Sequence, residues 1–215
     1  MTAAGPVLTA VTVGDPPEAW RAAGFTVDDD GRCRIGTVAV HLVGRDAGKR
    51  ILGWSFDGLT GFDGETGVDG DLDGLVTSAS PAPAGPAPTH PNGVERIDHV
   101  VVLTPDRDRT IAAFTAAGLE PRRSRETDTY GAPMVQTFFR AGEVIVELIG
   151  TPEPMGDGPA GFFGLAHTCA DLDATATLLD GHVGVVKDAV QPGRRITTLR
   201  HKDLGMSVAT AFMSR

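Results

Sequence analysis

Cysteine, long apolar runs, extended basic patches and the short signatures of common enzyme classes are all scarce or missing in this chain. Only Cys33 and Cys169 occur among 215 residues. The start, Met1 to Pro6, has no basic segment leading into an apolar run, so a cytoplasmic location with two reduced thiols is expected. Each thiol then reads as a small buried hydrophobe rather than half of a bridge. No stretch of about 18 apolar residues is present, which excludes a helical membrane span. Positive charge is in deficit, with 19 Lys and Arg against 28 Asp and Glu, a net charge of −9 and a pI near 5.0. Nucleic acid requires a basic face, and the cluster Arg122, Arg123 and Arg125 is too small to provide one. That cluster reads as a solvated strand or loop edge, from which one arginine can reach an anionic ligand. Arg140, Arg195 and Arg200 read as solvated strand-edge residues in the same way. Aromatic residues make up 6%, too few for a nucleobase-stacking platform. A G-x-S-x-G elbow, a P-loop, a dinucleotide fingerprint and a C-x-x-C pair are all absent, and those enzyme classes drop out with them.

What is present is an internal repeat. Gly142 to Gly150 and Gly36 to Gly44 are alternating strands closed by glycines, and Thr115 to Leu119 answers Arg21 to Phe25 at the end of a short helix. Gly164 to Leu172 answers Ile51 to Leu59. Between the copies, Ser78 to Gly93 is crowded with proline, which removes backbone donors and favours extended chain. The expected organisation is a degenerate N-terminal unit at 1–77, a linker at 78–94 and a complete unit at 95–215. Asp57 to Gly74, rich in glycine and aspartate, reads as a long surface loop. Within it Asp69 to Gly74 matches the opening of a calcium loop, but Ser80 stands where the closing glutamate belongs.

In the second copy, Ile97 to Leu103 reads as a strand and Asp106 to Ala117 as a helix with Ile111, Phe114 and Thr115 near one face. Strands follow at Val135 to Arg140 and Glu143 to Ile149. A second half opens at Leu165, with a helix at Asp171 to Leu179 and strands near Arg195 to Arg200 and Ser207 to Met213. The first copy opens alike, with strands at Leu8 to Val13, near Phe25 and Arg32, and at Val38 to Val43, and a helix at Pro16 to Ala23. After Leu59 its pattern stops, which predicts a shortened copy with a sheet edge to be covered by intrachain docking or by a homodimer. One helix and three strands, repeated, specify an α+β fold of paired βαβββ modules forming a cupped mixed sheet.

Strand alternation sets Glu143, Ile145, Glu147 and Ile149 on one face, His99 with Ile97 and Val101, and His167 with Leu165 and Cys169. Two imidazoles and one carboxylate suit a divalent ion such as Fe(II), Mn, Ni or Zn with open coordination positions. His90, His182 and His201 lie in the linker or near turns and read as solvated. With these residues in place the chain resembles the vicinal oxygen chelate superfamily of glyoxalases, bleomycin-binding proteins and extradiol dioxygenases. The resemblance is best over Val94 to Met213. It implies a metal held by His99, Glu147 and His167, with the fourth ligand position falling at Ala209, where no carboxylate stands. Glu143 is the nearest general-base candidate. The first copy holds Ala10, His41 and Trp54 at the corresponding positions and reads as structural. Two functions stay open: a metal-dependent lyase, isomerase or dioxygenase acting on neighbouring oxygens of a small molecule, and a metal-free protein that binds an antibiotic or metabolite.

Overall fold

A computed structural model describes residues 5–61, 70–83, 85–128 and 131–215. Strands dominate, as an α+β fold requires. In chain order they are β1 (Val7–Val13), β2 (Arg32–Ile35), β3 (Val38–Leu42), β4 (Ile51–Asp57), β5 (Gly70–Leu72), β6 (Leu75–Ala79), β7 (Val94–Leu103), β8 (Pro121–Thr127), β9 (Met134–Ala141), β10 (Val144–Gly150), β11 (Gly161–Cys169), β12 (Lys187–Asp188), β13 (Arg195–Thr198) and β14 (Ala209–Met213). The helices α1 (Pro17–Ala22), α2 (Arg107–Ala116) and α3 (Leu172–Leu178) follow β1, β7 and β11. Asp106 and Asp171 start α2 and α3 by accepting backbone N–H groups of the first turn, from Arg109 and from Asp173 and Ala174. Gly118, at φ +88°, turns the chain out of α2.

The strands form two mixed sheets, ordered β2-β3-β1-β4-β6-β5 and β12-β13-β14-β11-β7-β10-β9-β8. The inner six strands of the second repeat the connectivity of the first. In both, a hairpin (β2–β3 or β9–β10) lies on one side, and a parallel pair (β4–β6 or β11–β14) leads to the other edge. The first copy therefore does not stop at Leu59. Among the described residues it lacks the outermost strand of each half, the counterparts of β8 and β12, and a counterpart of the helix α3. The extra pair, β5 and β6, begins inside the stretch expected to be loop. Asp73 and Gly74, at φ +55° and +88°, make the two-residue turn that joins them. The calcium-like run thus closes a hairpin. Its Asp69 lies outside the described residues, and Asp73 accepts from Arg109 Nε at 2.7 Å and from the Thr110 hydroxyl.

The chain divides into two compact units, Met1–Ala10 with Gly53–Ala82 and His99–Phe163, and Val11–Leu52 with Pro83–Asp98 and Gly164–Arg215. Each takes segments from both sides of the proline-rich stretch. A division at 78–94 follows chain order, whereas strands take hydrogen bonds from lateral neighbours whatever their sequence distance. In the first unit Trp54, Phe56, Phe114 and Phe139 are fully buried, and Trp54 packs edge-on to Phe56 and Phe162 at 4.9 and 5.0 Å between centroids. Its indole N–H donates to the Thr77 hydroxyl at 2.8 Å. In the second unit Trp20, Phe25 and Phe212 are buried, with Phe25 4.9 Å from Trp20.

Three local expectations change. Phe25 lies outside any strand and serves the core. The buried side of α2 is Thr110 and Phe114, continued by Ala117, while Thr115 is exposed. Thr110 is drawn inward because Asp73 and the Thr104 hydroxyl accept or share its hydroxyl hydrogen bonds. His90 is buried, not solvated: Nδ1 accepts the Thr26 backbone N–H at 3.0 Å, and Nε2 lies 3.1 Å from the Arg34 carbonyl.

Candidate functional site

Four adjacent strands of the first unit carry a diagonal row of polar side chains on one face. His99 on β7 stands opposite Ile145 of β10, so Glu147, two residues on, is its diagonal neighbour. Gln136 on β9 stands opposite Ile149 and is diagonal to Glu147 from the other side. Arg125 on β8 faces Gln136 directly. The side chains follow the register. Arg125 Nε donates to Gln136 Oε1 at 2.5 Å, Gln136 Nε2 donates to Glu147 Oε1, and Glu147 Oε2 lies 3.4 Å from His99 Nε2. Glu147 is 8% exposed and Gln136 2%, so the amide-to-carboxylate bond is made away from water. A hydrogen bond to a charged group contributes about 1.5–3 kcal/mol net, and more is lost when a buried partner is stranded.

Two donors each about 2.1 Å from one ion, at about a tetrahedral angle, stand roughly 3.4 Å apart. The observed separation of His99 Nε2 and Glu147 Oε2 is 3.4 Å. Gln136 holds the opposite carboxylate oxygen, as outer partners of metal ligands do. One imidazole and one carboxylate therefore fit an ion. No group of three or more His, Cys, Asp or Glu suited to a metal exists among the described residues.

His167 belongs to the other unit. It is fully buried on β11, with its ring 5.3 Å from Phe25 and 6.0 Å from Phe212, which stands opposite it on β14. Ala209 stands opposite Gly164, so close that a Cβ on Gly164 would lie 2.2 Å from the Ala209 carbonyl oxygen. Glu143 is exposed in the turn ahead of β10, outside the strand that alternation had assigned to it. Cys169 is fully buried, and burial pushes its thiol up to about 11. In the first copy Ala10 and Trp54 are core residues, and burial holds the half-exposed His41 below its ordinary pKa.

Gln136 escaped the sequence reading. Its signal was present in the hairpin: with the turn at Ala141-Gly142 known, counting back from Glu147 puts Gln136 on the same face one diagonal away. A glutamine inside an apolar strand is a polar group that needs a partner.

Residues 98–198 match the model of the Glyoxalase/Bleomycin resistance protein/Dioxygenase superfamily. Among solved structures, a triple mutant of 4-hydroxymandelate synthase from Streptomyces coelicolor is similar at a TM-score of 0.68 and 15% identity, over 99% of this chain and 93% of its own. A fusion of a xylose isomerase-like TIM barrel with 4-hydroxyphenylpyruvate dioxygenase is similar at a TM-score of 0.63 and 12% identity, over 99% of this chain and 49% of its own. Methylmalonyl-CoA epimerase from Mycobacterium tuberculosis, at 18% identity and a TM-score of 0.46, covers 57% of this chain and 89% of its own. At these identities the likeness is one of fold. No curated protein is significantly similar in sequence. Residues 98–198 thus carry a domain matching the Glyoxalase/Bleomycin resistance protein/Dioxygenase superfamily, and the whole chain shares the fold of the synthase structure.

Proposed function

We propose that the chain acts on a small molecule at the polar row of the first unit, with His99 and Glu147 holding a divalent ion. The observation that carries this reading is the 3.4 Å approach of His99 Nε2 to Glu147 Oε2, with Gln136 bound to the other carboxylate oxygen. Bound there, Fe(II), Mn, Ni or Zn supplies Lewis acidity toward neighbouring substrate oxygens, with several positions left for water or substrate. Gln136 fixes the rotation of Glu147, and Arg125 fixes Gln136, so the carboxylate presents one oxygen. Ile145 and Ile149, on the same face, limit water around the pair. Glu143 has no part in this scheme.

The test is equilibrium metal titration of the purified protein with Fe(II), Mn, Ni and Zn. Wild type is expected to take up about one ion; His99→Ala and Glu147→Gln abolish uptake, while Gln136→Leu weakens it roughly 10–100-fold. His167→Ala is expected to keep the ion, since its ring sits in the aromatic core of the other unit. Uptake indifferent to His99 and Glu147 ends the proposal, and loss in His167→Ala alone returns His167 to the ligand set.

A second reading, a metal-free binding protein, is favoured by the absence of any three-residue ligand group among the described residues. It predicts that ligand affinity ignores chelators and tolerates Glu147→Gln.

A further inference from the structure

We infer that the small molecule taken by this face is an organic oxyanion with an apolar body, its charged end held by Arg123 and Arg125 above the ring of Phe138. The inference rests on the small-molecule reading, deepens it by naming a substrate class, and does not depend on the ion. Strand register puts the residues concerned on one face. Phe138 of β9 stands opposite Glu147 of β10 on one side and opposite Arg123 of β8 on the other, and Arg125 stands opposite Gln136. Residues directly opposite share a face. Arg123, Arg125 and Phe138 therefore lie on the face that carries Gln136, Glu147 and His99. The helix α2 lies against the other face, where Phe114 packs edge-on to Phe139 at 5.1 Å between centroids.

Both guanidinium groups are held in place without being neutralised. Arg123 Cζ lies 4.6 Å and Arg125 Cζ 5.8 Å from the centroid of the one Phe138 ring. Arg125 also donates its Nε–H to Gln136 Oε1, which orients the group and leaves its Nη edge for an incoming oxygen. Among the described residues neither arginine forms an ion pair. Arg109 and Arg195 show the contrast, since Asp73 and Asp173 occupy theirs. In a chain of net charge −9, two uncompensated arginines at one ring stand out. A stacked planar guanidinium meets carboxylate or phosphate with paired N–H···O bonds.

Away from the arginines the same face turns apolar. Ile145 and Val101 are half-buried, and Leu103, opposite Ile149, is 41% exposed. The guanidinium groups gather over Phe138 of β9, whereas His99 and Glu147 meet between β7 and β10. With neighbouring strands about 4.8 Å apart, roughly 7 Å separate the two places. One ring bearing an acid group spans that gap. Its oxyanion lies on the arginines, its body against Ile145 and Val101, and its far end at the His99–Glu147 pair.

The test is calorimetric titration of the whole protein at low salt with EDTA present. The probes are benzoate, phenyl phosphate, acetate and neutral benzamide. At least one aromatic anion is expected to bind, with benzamide and acetate each about tenfold weaker or worse. Arg123→Gln, at an exposed position that folding tolerates, and Arg125→Gln each weaken that binding about tenfold. Phe138→Leu weakens it although both arginines remain, because the ring that aligns them is gone. Arg107→Gln removes the same charge from α2, against the opposite face, and leaves affinity unchanged. A preference between benzoate and phenyl phosphate separates carboxylate from phosphate ligands. The inference is overturned if neither aromatic anion binds, if benzamide or acetate binds equally well, if both β8 arginine variants bind as wild type does, or if Arg107→Gln costs as much as they do. With the ion removed by EDTA, His99→Ala should still bind the anion, so this outcome stays separate from the fate of the metal titration.

Discussion

Asp15→Asn should destabilise the second unit severely for a substitution that changes almost no volume. The Asp15 carboxylate is fully buried. It accepts from the Trp20 indole N–H at 3.1 Å, from Arg45 Nη1 at 2.6 Å, from the Ser207 backbone N–H at 2.8 Å and from the Ser207 hydroxyl at 2.5 Å. Every one of these partners is a donor. Asparagine replaces one acceptor oxygen with an NH₂ group, so two donors confront each other inside the core and Arg45 loses its counter-charge. Breaking a buried ion pair costs about 3–5 kcal/mol. The Arg45 side chain is 35% exposed and recovers hydration, which argues for the lower end, about 3 kcal/mol. For a chain of this size that corresponds to a fall in Tm of roughly 6–12 °C. Urea unfolding followed by tryptophan fluorescence, with thermal melts, measures it. Asp173→Asn is the control, because the Asp173–Arg195 pair at 2.8 Å is exposed and should matter far less. A loss below about 0.5 kcal/mol in Asp15→Asn would show that the four donors do not depend on a carboxylate at this position.

Two further outcomes follow from buried groups. Cys33 and Cys169 are free and fully buried, and burial pushes their thiols up to about 12 and about 11. Neither should react with a thiol-specific chromogenic disulfide at pH 8 in the native protein, and both should react in denaturant; prompt native labelling of either contradicts the packing. Burial also holds the pKa of His90 below its ordinary 6.5, against an opposing contribution from its hydrogen bond with the Arg34 carbonyl. As pH falls through 6.5 the unfolded chain takes up the proton first. The stability that His90 contributes is therefore complete above that value and is lost as pH drops through the lower folded one. Urea midpoints should fall between pH 7 and 5, and His90→Gln should flatten part of that slope; an unchanged slope would show that His90 does not carry it.

Much of the second copy was legible in the sequence, because its signals are local. Asp106 and Asp171 cap helices, Gly118 and Gly142 turn the chain, and apolar alternation marks β7 and β10. The loop reading of Asp57 to Gly74 fails at residues 70–74, since β5 is short and its aspartate and glycine content reads as loop until Asp73-Gly74 is recognised as the hairpin turn; residues 62–69 lie outside the described residues. His90 was misread for a related reason: proline-rich neighbours suggest solvent, whereas hydrogen bonds with Thr26 and Arg34 enclose its ring.

From the sequence alone came the class of fold, the repeated βαβββ order and the choice of His99, Glu147 and His167 as residues with chemical potential, because strand period and capping act over a few residues. Only the tertiary structure decided which of them meet. Pairing β7 beside β10, and β10 beside β9, brings His99 to Glu147 and supplies Gln136, while β11 carries His167 into an aromatic core of the other unit. Lateral strand order and register are long-range properties, set by which faces bury the most apolar surface together, and no local pattern encodes them.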